Sequence, residues 1–149
     1  MSDNLKQPND TWRRLDVPFI DTDLGFAVHT LLIVDDVDHS TGFYTDVLGG
    51  ELLRSGMPSY VRLANTLLVI AARGGPTDDK PDVVAAPPPD ARTLSQALNV
   101  RVHDIAECYE RWRARGAHFL TEPKVHADEI RCYMRDPDNY LIEVGQSTK

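Results

Sequence analysis

Four side chains with chemical capacity interrupt runs that are otherwise apolar and strand-like. They are His29 in Val28–Val34, Asn99 and Arg101 in Ala97–Val102, and Glu143 in Tyr140–Val144. An imidazole titrates near neutral pH, so it can act as acid, base or metal ligand, and a carboxylate can do the same work from the other side of neutrality. An amide beside a guanidinium suits an anionic or carbonyl-bearing ligand. Signatures of other chemistries are missing from the sequence. There is no glycine-rich phosphate loop, no Gly-x-Ser-x-Gly, no His-Glu-x-x-His and no Cys-x-x-Cys. Cys108 falls on an apolar helical stripe with no basic neighbour evident, and reads as core. His39, His103 and His118 read as surface or strand-end residues, and Arg111, Arg113 and Arg115 as a solvated helix face.

The elements that must hold those four side chains come in two copies. Val28 to Asp36 is a β-branched apolar run ending at an aspartate, and Gln96 to Asp104 repeats the plan. Each is followed by a helix-like segment closed by glycine, Gly49-Gly50 in the first and Gly116 in the second. The aspartates lie 68 residues apart, which sets Ala97 opposite His29. Two strand–helix units in a chain of 149 residues imply a pseudo-twofold domain with a cavity shared between its halves.

The bulk composition agrees with one globular domain: 42% hydrophobic and 26% charged residues. A net charge of −7 and a pI near 5.1 speak against a nucleic-acid partner, which needs a clustered basic face. No run approaches the ~18 apolar residues of a membrane span, and the first residues lack a signal-peptide pattern. The two cysteines match no ligand spacing, so a reduced pair and a cytoplasmic location are expected.

Taken in order, residues 1–25 read as an N-terminal arm anchored by Trp12, Val17, Phe19 and Ile20, and residues 26–145 as one domain. Module 1 spans 26–72, a linker 73–93, module 2 94–145, and a tail 146–149. In module 1 a strand over Phe26–Val34 puts His29, Leu31 and Ile33 on one face. Asp36 stands at an N-cap, Val37, Ser40, Phe43, Tyr44 and Leu48 follow at helical spacing, and three strands cover 51–55, 59–64 and 66–71. The Ala64-Asn65 junction predicts a hairpin. The linker, with Gly74-Gly75-Pro76 and Pro87-Pro88-Pro89, reads as an extended connector. Module 2 repeats the order: a strand over 97–102, a helix capped by Asp104 with Ile105, Cys108, Tyr109 and Trp112 inward, then strands over 118–120, 130–135 and 140–144. Asp136-Pro137-Asp138-Asn139 is a turn signal. Whether Arg131 and Tyr133 or Cys132 and Met134 face inward is left open by the pattern.

In this order the motifs resemble the vicinal oxygen chelate superfamily, which includes glyoxalase I, bleomycin-resistance proteins, fosfomycin-resistance transferases and extradiol dioxygenases. The resemblance rests on His29, Phe43-Tyr44 with Val47-Leu48-Gly49, Tyr109 to Gly116, and Asp136 to Glu143. It implies an α+β fold of two βαβββ modules, with curved mixed sheets around a shared cavity, and a homodimer.

That family holds a divalent metal with residues from the first and fourth strands of both modules. The matching positions are His29, Val69, Ala97 and Glu143, so one imidazole and one carboxylate are kept and two donors are lost. Asn99 and His126 are the nearby substitutes. A catalytic divalent site usually needs three protein ligands. The resemblance therefore implies either a lyase or dioxygenase with an atypical site, or a binder of the bleomycin-resistance type. In the first, His29 and Glu143 are catalytic residues and ligands to Zn, Ni, Mn or Fe, with Asn99 and Arg101 orienting a small oxygenated substrate. The second sequesters a small molecule without metal. The alternatives for these side chains are structural: His29 bonded to Glu143 or water, Arg101 paired with Glu143. Leu31, Ile33, Leu67, Val69 and Leu141 form either an apolar pocket wall or a closed core.

Overall fold

The structure is a computed structural model that describes residues 25–149; the expected N-terminal arm lies almost entirely outside them. Module 1 contains β1 (Thr30–Val34), α1 (Val37–Gly42), a π-helical turn (Phe43–Val47), β2 (Glu51–Arg54), β3 (Ser59–Leu63) and β4 (Thr66–Ala72). Its sheet has the order β1-β4-β3-β2, with β1 parallel to β4 and the other pairs antiparallel. Module 2 contains β5 (Leu98–Arg101), α2 (Ile105–Ala114), β6 (His118–Phe119), β7 (Lys124–Val125), β8 (Glu129–Arg135) and β9 (Leu141–Ser147). Its sheet runs β5-β9-β8-β6, with β7 also on β8 and β5 parallel to β9. Two mixed sheets with one helical segment each are the architecture that the repeat and the resemblance imply.

The caps act as the sequence predicts. Asp36 Oδ1 accepts from the His39 N–H at 3.0 Å and Asp104 Oδ1 from the Glu107 N–H at 3.0 Å. Strand alternation then sends one set of side chains to a core common to both modules. Leu32, Val34, Val61, Leu68 and Ile70 come from the first sheet, and Cys132, Met134, Ile142 and Val144 from the second. Tyr44, Ile105, Cys108 and Trp112 add the helical contribution. Gly50 sits where a Cβ would stand 2.8 Å from the Tyr44 carbonyl oxygen, which is why the helix can close onto β3.

Two strands, β1 and β5, are shorter than expected by two residues or more. β1 begins at Thr30, so His29 stands one residue ahead of it, because the parallel ladder to β4 opens with Thr30 opposite Leu68. β5 covers only Leu98–Arg101, the stretch paired to Ile142–Gly145 of β9. In the linker, Gly74 bridges Ala85 and Thr77 bridges Lys80, while the Lys80 ammonium donates to the Gly75 and Val83 carbonyls at 3.0 and 2.7 Å. The connector is folded back on itself rather than extended.

The turn Asp136–Asn139 has a second task. Tyr44 Oη donates to Asp136 Oδ2 at 2.7 Å, Ser40 Oγ to Asp138 Oδ2 at 2.5 Å, and the Asp35 N–H to Asp138 Oδ1 at 2.8 Å. Tyr140 Oη donates to the Ile33 carbonyl at 2.9 Å and accepts from the Ile33 N–H at 3.2 Å. These bonds clasp the opening strand and helix of module 1 to the final hairpin of module 2. Burial of both aspartates is tolerable because each oxygen has a donor.

Candidate functional site

Core packing decides which side chains module 2 turns outward. Ile142 and Val144 on β9 and Cys132 and Met134 on β8 are buried, so their neighbours Glu143, Gly145, Arg131 and Tyr133 lie on the opposite face. The register sets Asn99, Glu143 and Tyr133 in one rung across β5, β9 and β8. Asn99 Nδ2 donates to Glu143 Oε1 at 3.0 Å, and Tyr133 Oη donates to Glu143 Oε2 at 2.6 Å. The carboxylate is thus fixed at both oxygens and still has lone pairs to offer. Its bond to the Tyr133 hydroxyl, followed by burial, raises the phenol above its ordinary range, so the hydroxyl keeps its proton at neutral pH.

The next rung is Arg101, Gly145 and Arg131. Arg101 bonds not to Glu143 but to Glu129, at 2.8 Å, and Arg131 bonds to the other oxygen of Glu129 at 2.9 Å. Arg101, then Arg131, hold the Glu129 carboxyl below its usual range. Asn99 therefore meets Glu143 as its position suggests, whereas the Arg101–Glu143 pairing does not form. Glu129 escaped the sequence reading, and the choice between Arg131 with Tyr133 and Cys132 with Met134, left open there, falls to the first pair on this face. The parity of β8 could have been read from Cys132 and Met134, both apolar and two apart.

His29 is half-buried and lines a recess of about 370 Å³ between the start of β1 and the ends of β5 and β9. Leu31, Ala97 and Leu141 line the same recess, while Glu143, two residues along β9 from Leu141, does not. Leu31 is 61% exposed and pairs with Val69 across β1 and β4, with Ile33 next on that face. Leu67, by contrast, is closed off at 1% exposure and forms no wall. His126 is exposed at the turn into β8, its N–H on the Glu129 carbonyl at 2.8 Å.

A family model for the Glyoxalase/Bleomycin resistance protein/Dioxygenase superfamily matches residues 27–144. The chain belongs to this superfamily. Among relatives of the glyoxalase group, a lactoylglutathione lyase of Haemophilus influenzae is 32% identical over 130 residues, covering 82% of this chain and 94% of its own. A probable lactoylglutathione lyase of Synechocystis is 27% identical over 135 residues, covering 83% and 96%. Similar solved structures include a glyoxalase/bleomycin resistance protein/dioxygenase from Alicyclobacillus acidocaldarius, with a TM-score of 0.64 at 17% identity over 82% of this chain and 91% of that one. The fosfomycin resistance protein FosX from Mesorhizobium loti gives 0.61 at 15% identity over 81% and 91%. At such identities these structures bear on the fold.

A divalent ion is implied by the superfamily, and three protein donors are its usual requirement. Ala97 and Val69 offer none. Among the described residues no three His, Cys, Asp or Glu side chains gather as a ligand set. The donors on the described residues fall short of a full set. What the rung does provide is an oriented carboxylate flanked by a neutral hydroxyl and an amide.

Proposed function

We propose that this chain binds a small oxygenated molecule where the recess between the modules meets the open face of the second sheet, and that Glu143 acts on it as a general base in glyoxalase-type lyase chemistry. The observation that carries this reading is the fixing of the Glu143 carboxylate by Asn99 and Tyr133 at 3.0 and 2.6 Å. The lyase class is favoured over a dioxygenase by the lactoylglutathione lyases among its relatives.

In the proposed step Glu143 accepts a proton from the carbon next to a carbonyl, and the electron pair moves onto the carbonyl oxygen. The carboxylic acid so formed returns the proton to the former carbonyl carbon, and the hydroxyl that the first carbon carries gives its proton to the other oxygen as the new C=O forms, leaving the enzyme unchanged. Asn99 and Tyr133 hold the carboxylate in line, and such an aligned base contributes about 10²–10⁴-fold. Leu31, Ile33, Val69 and Leu141 supply apolar surface, and His29 stands in the recess as a second titratable group.

A second reading, metal-free sequestration of a small molecule, is favoured by Ala97 and Val69 at positions where the resemblance calls for donors. Metal content of protein purified without chelator or histidine tag, with thermal melts in Ni²⁺, Zn²⁺, Mn²⁺ or Fe²⁺, separates the two. Stoichiometric metal lost in both His29→Ala and Glu143→Ala removes the sequestration reading and makes those residues ligands. An ion at a hundred times its dissociation constant stabilises by about 2.7 kcal/mol, so the melts are sensitive. Without metal or thermal shift, a metal-dependent lyase is excluded. We also propose a homodimer in solution, checked by sedimentation. Among the described residues no helix is long and apolar enough to cross a membrane.

A further inference from the structure

Beside Glu143 the second rung of the same face carries two guanidinia and a glycine. Arg101 of β5 and Arg131 of β8 both stand opposite Gly145 of β9. They share one carboxylate, Glu129, through Nη1–Oε2 and Nη1–Oε1 bonds of 2.8 and 2.9 Å. Two positive charges against one leave an excess of one. The side chains of Arg101 and Arg131 are 45% and 34% exposed and that of Glu129 23%, so the cations face solvent more than their counter-ion does. A guanidinium has five N–H donors, so each arginine keeps free donors after bonding Glu129.

Gly145 explains how Arg101 reaches across. A Cβ at that position would lie 1.9 Å from Arg101 Nη1 and 2.7 Å from its Cζ. The guanidinium therefore sits against Gly145 of β9, its Nη1 nearest, in space that any other residue would fill. Two residues along a strand is about 6.7 Å, which is the offset between this rung and that of Glu143.

We propose that the Arg101–Arg131 pair, seated over Gly145, is an anion subsite, and that the ligand of this face is a small oxygenated molecule bearing a carboxylate. The inference rests on the reading of Glu143 as the group that faces the ligand. The carboxylate docks on the free guanidinium donors while the oxygenated carbon lies toward Glu143. Such charge-assisted, bidentate contacts fix position as well as adding affinity. Glu129 is a positioning residue: it ties the two cations together without meeting the ligand.

The test is an amide-resolved NMR titration of the whole chain with lactate and with lactamide, its uncharged counterpart. Lactate is expected to shift the amides of Arg101, Arg131, Gly145 and Glu143, with an affinity at least about tenfold above that of lactamide. Arg101→Met and Arg131→Met each lower lactate affinity about five- to tenfold and leave lactamide unchanged. Gly145→Ala acts like Arg101→Met, since the new methyl displaces only the end of a flexible side chain, and melting checks that the fold is kept. Equal affinities for the two probes, arginine variants that leave lactate binding intact, or no shift from either probe at tens of millimolar overturn the subsite. Glu143→Gln reports on the parent reading separately. If lactate shifts the arginine rung but neither Glu143 nor its Gln variant matters, the subsite stands and the role of Glu143 falls.

Discussion

Removing one hydroxyl from the clasp between the modules should destabilise the protein in a pH-dependent way. Tyr44 is fully buried and donates to Asp136 Oδ2 at 2.7 Å, and Asp136 is itself only 4% exposed. Burial pushes the Asp136 carboxyl up to about 6, while Tyr44, Asp138 N–H and Tyr140 N–H all pull it down by bonding its anion. A folded value above the unfolded one, which is about 3.9, means that this group adds stability below pH ~4 and loses it as pH rises through ~6. The span is about two pH units, or roughly 3 kcal/mol. Tyr44→Phe leaves the packing almost unchanged but strips the carboxylate of its strongest donor. A bond to a charged acceptor is worth about 1.5–3 kcal/mol and one to a neutral acceptor about 1. The variant should therefore lose about 1 kcal/mol at pH 5, where Asp136 is largely protonated, and about 2–3 kcal/mol at pH 8. In thermal melts the deficit at pH 8 corresponds to about 6–10 °C for a chain of this size. A deficit that is equal at both pH values, or larger at pH 5, would refute the reasoning about Asp136.

Three other outcomes follow from local geometry. Gly50→Ala places a methyl 2.6 Å from Val61 Cγ1 and 2.8 Å from the Tyr44 carbonyl oxygen, and chemical denaturation should show a loss of about 1–3 kcal/mol. Asp104→Ala removes the acceptor of the Glu107 N–H and should cost about 1 kcal/mol in the same assay. Burial raises the Cys132 thiol to about 11 and pushes Cys108 up as well, so neither should react with a thiol reagent at pH 8 until denaturant is added. Rapid labelling of the native protein would contradict that burial.

Much of the fold was legible because its signals are local. The caps at Asp36 and Asp104, the stripe of Ile105, Cys108 and Trp112, and the Ala64-Asn65 hairpin depend on neighbours within a few residues. What sequence did not disclose depends on pairing across the chain. The start of β1 is fixed by where its ladder to β4 opens, at Thr30 opposite Leu68, which moves His29 out of the strand. β7, of two residues, is too short to carry a period, whereas the equally short β6 falls within the strand expected over 118–120. The π-helical turn at Phe43–Val47 looks like ordinary helix in its apolar spacing. Asp136 and Asp138 read as turn formers, yet their side chains reach Tyr44 and Ser40, more than ninety residues away. For the candidate site, Asn99 and Glu143 were visible as polar interruptions of apolar strands and the register joins them. Arg101 was visible in the same way, but its partner Glu129 was not, and the placing of Tyr133 and Arg131 on this face had to wait until β8 had a partner to fix its parity.

Proton exchange measures the proposed role of Glu143 most directly. Lactoylglutathione in D₂O carries one hydrogen on the carbon next to its carbonyl, and NMR follows its replacement by deuterium. The protein should speed this exchange, and Glu143→Gln should slow it by about 10²–10⁴-fold with the melting temperature kept. Exchange at the buffer rate with the unaltered protein, or at the same rate in the variant, would contradict the account.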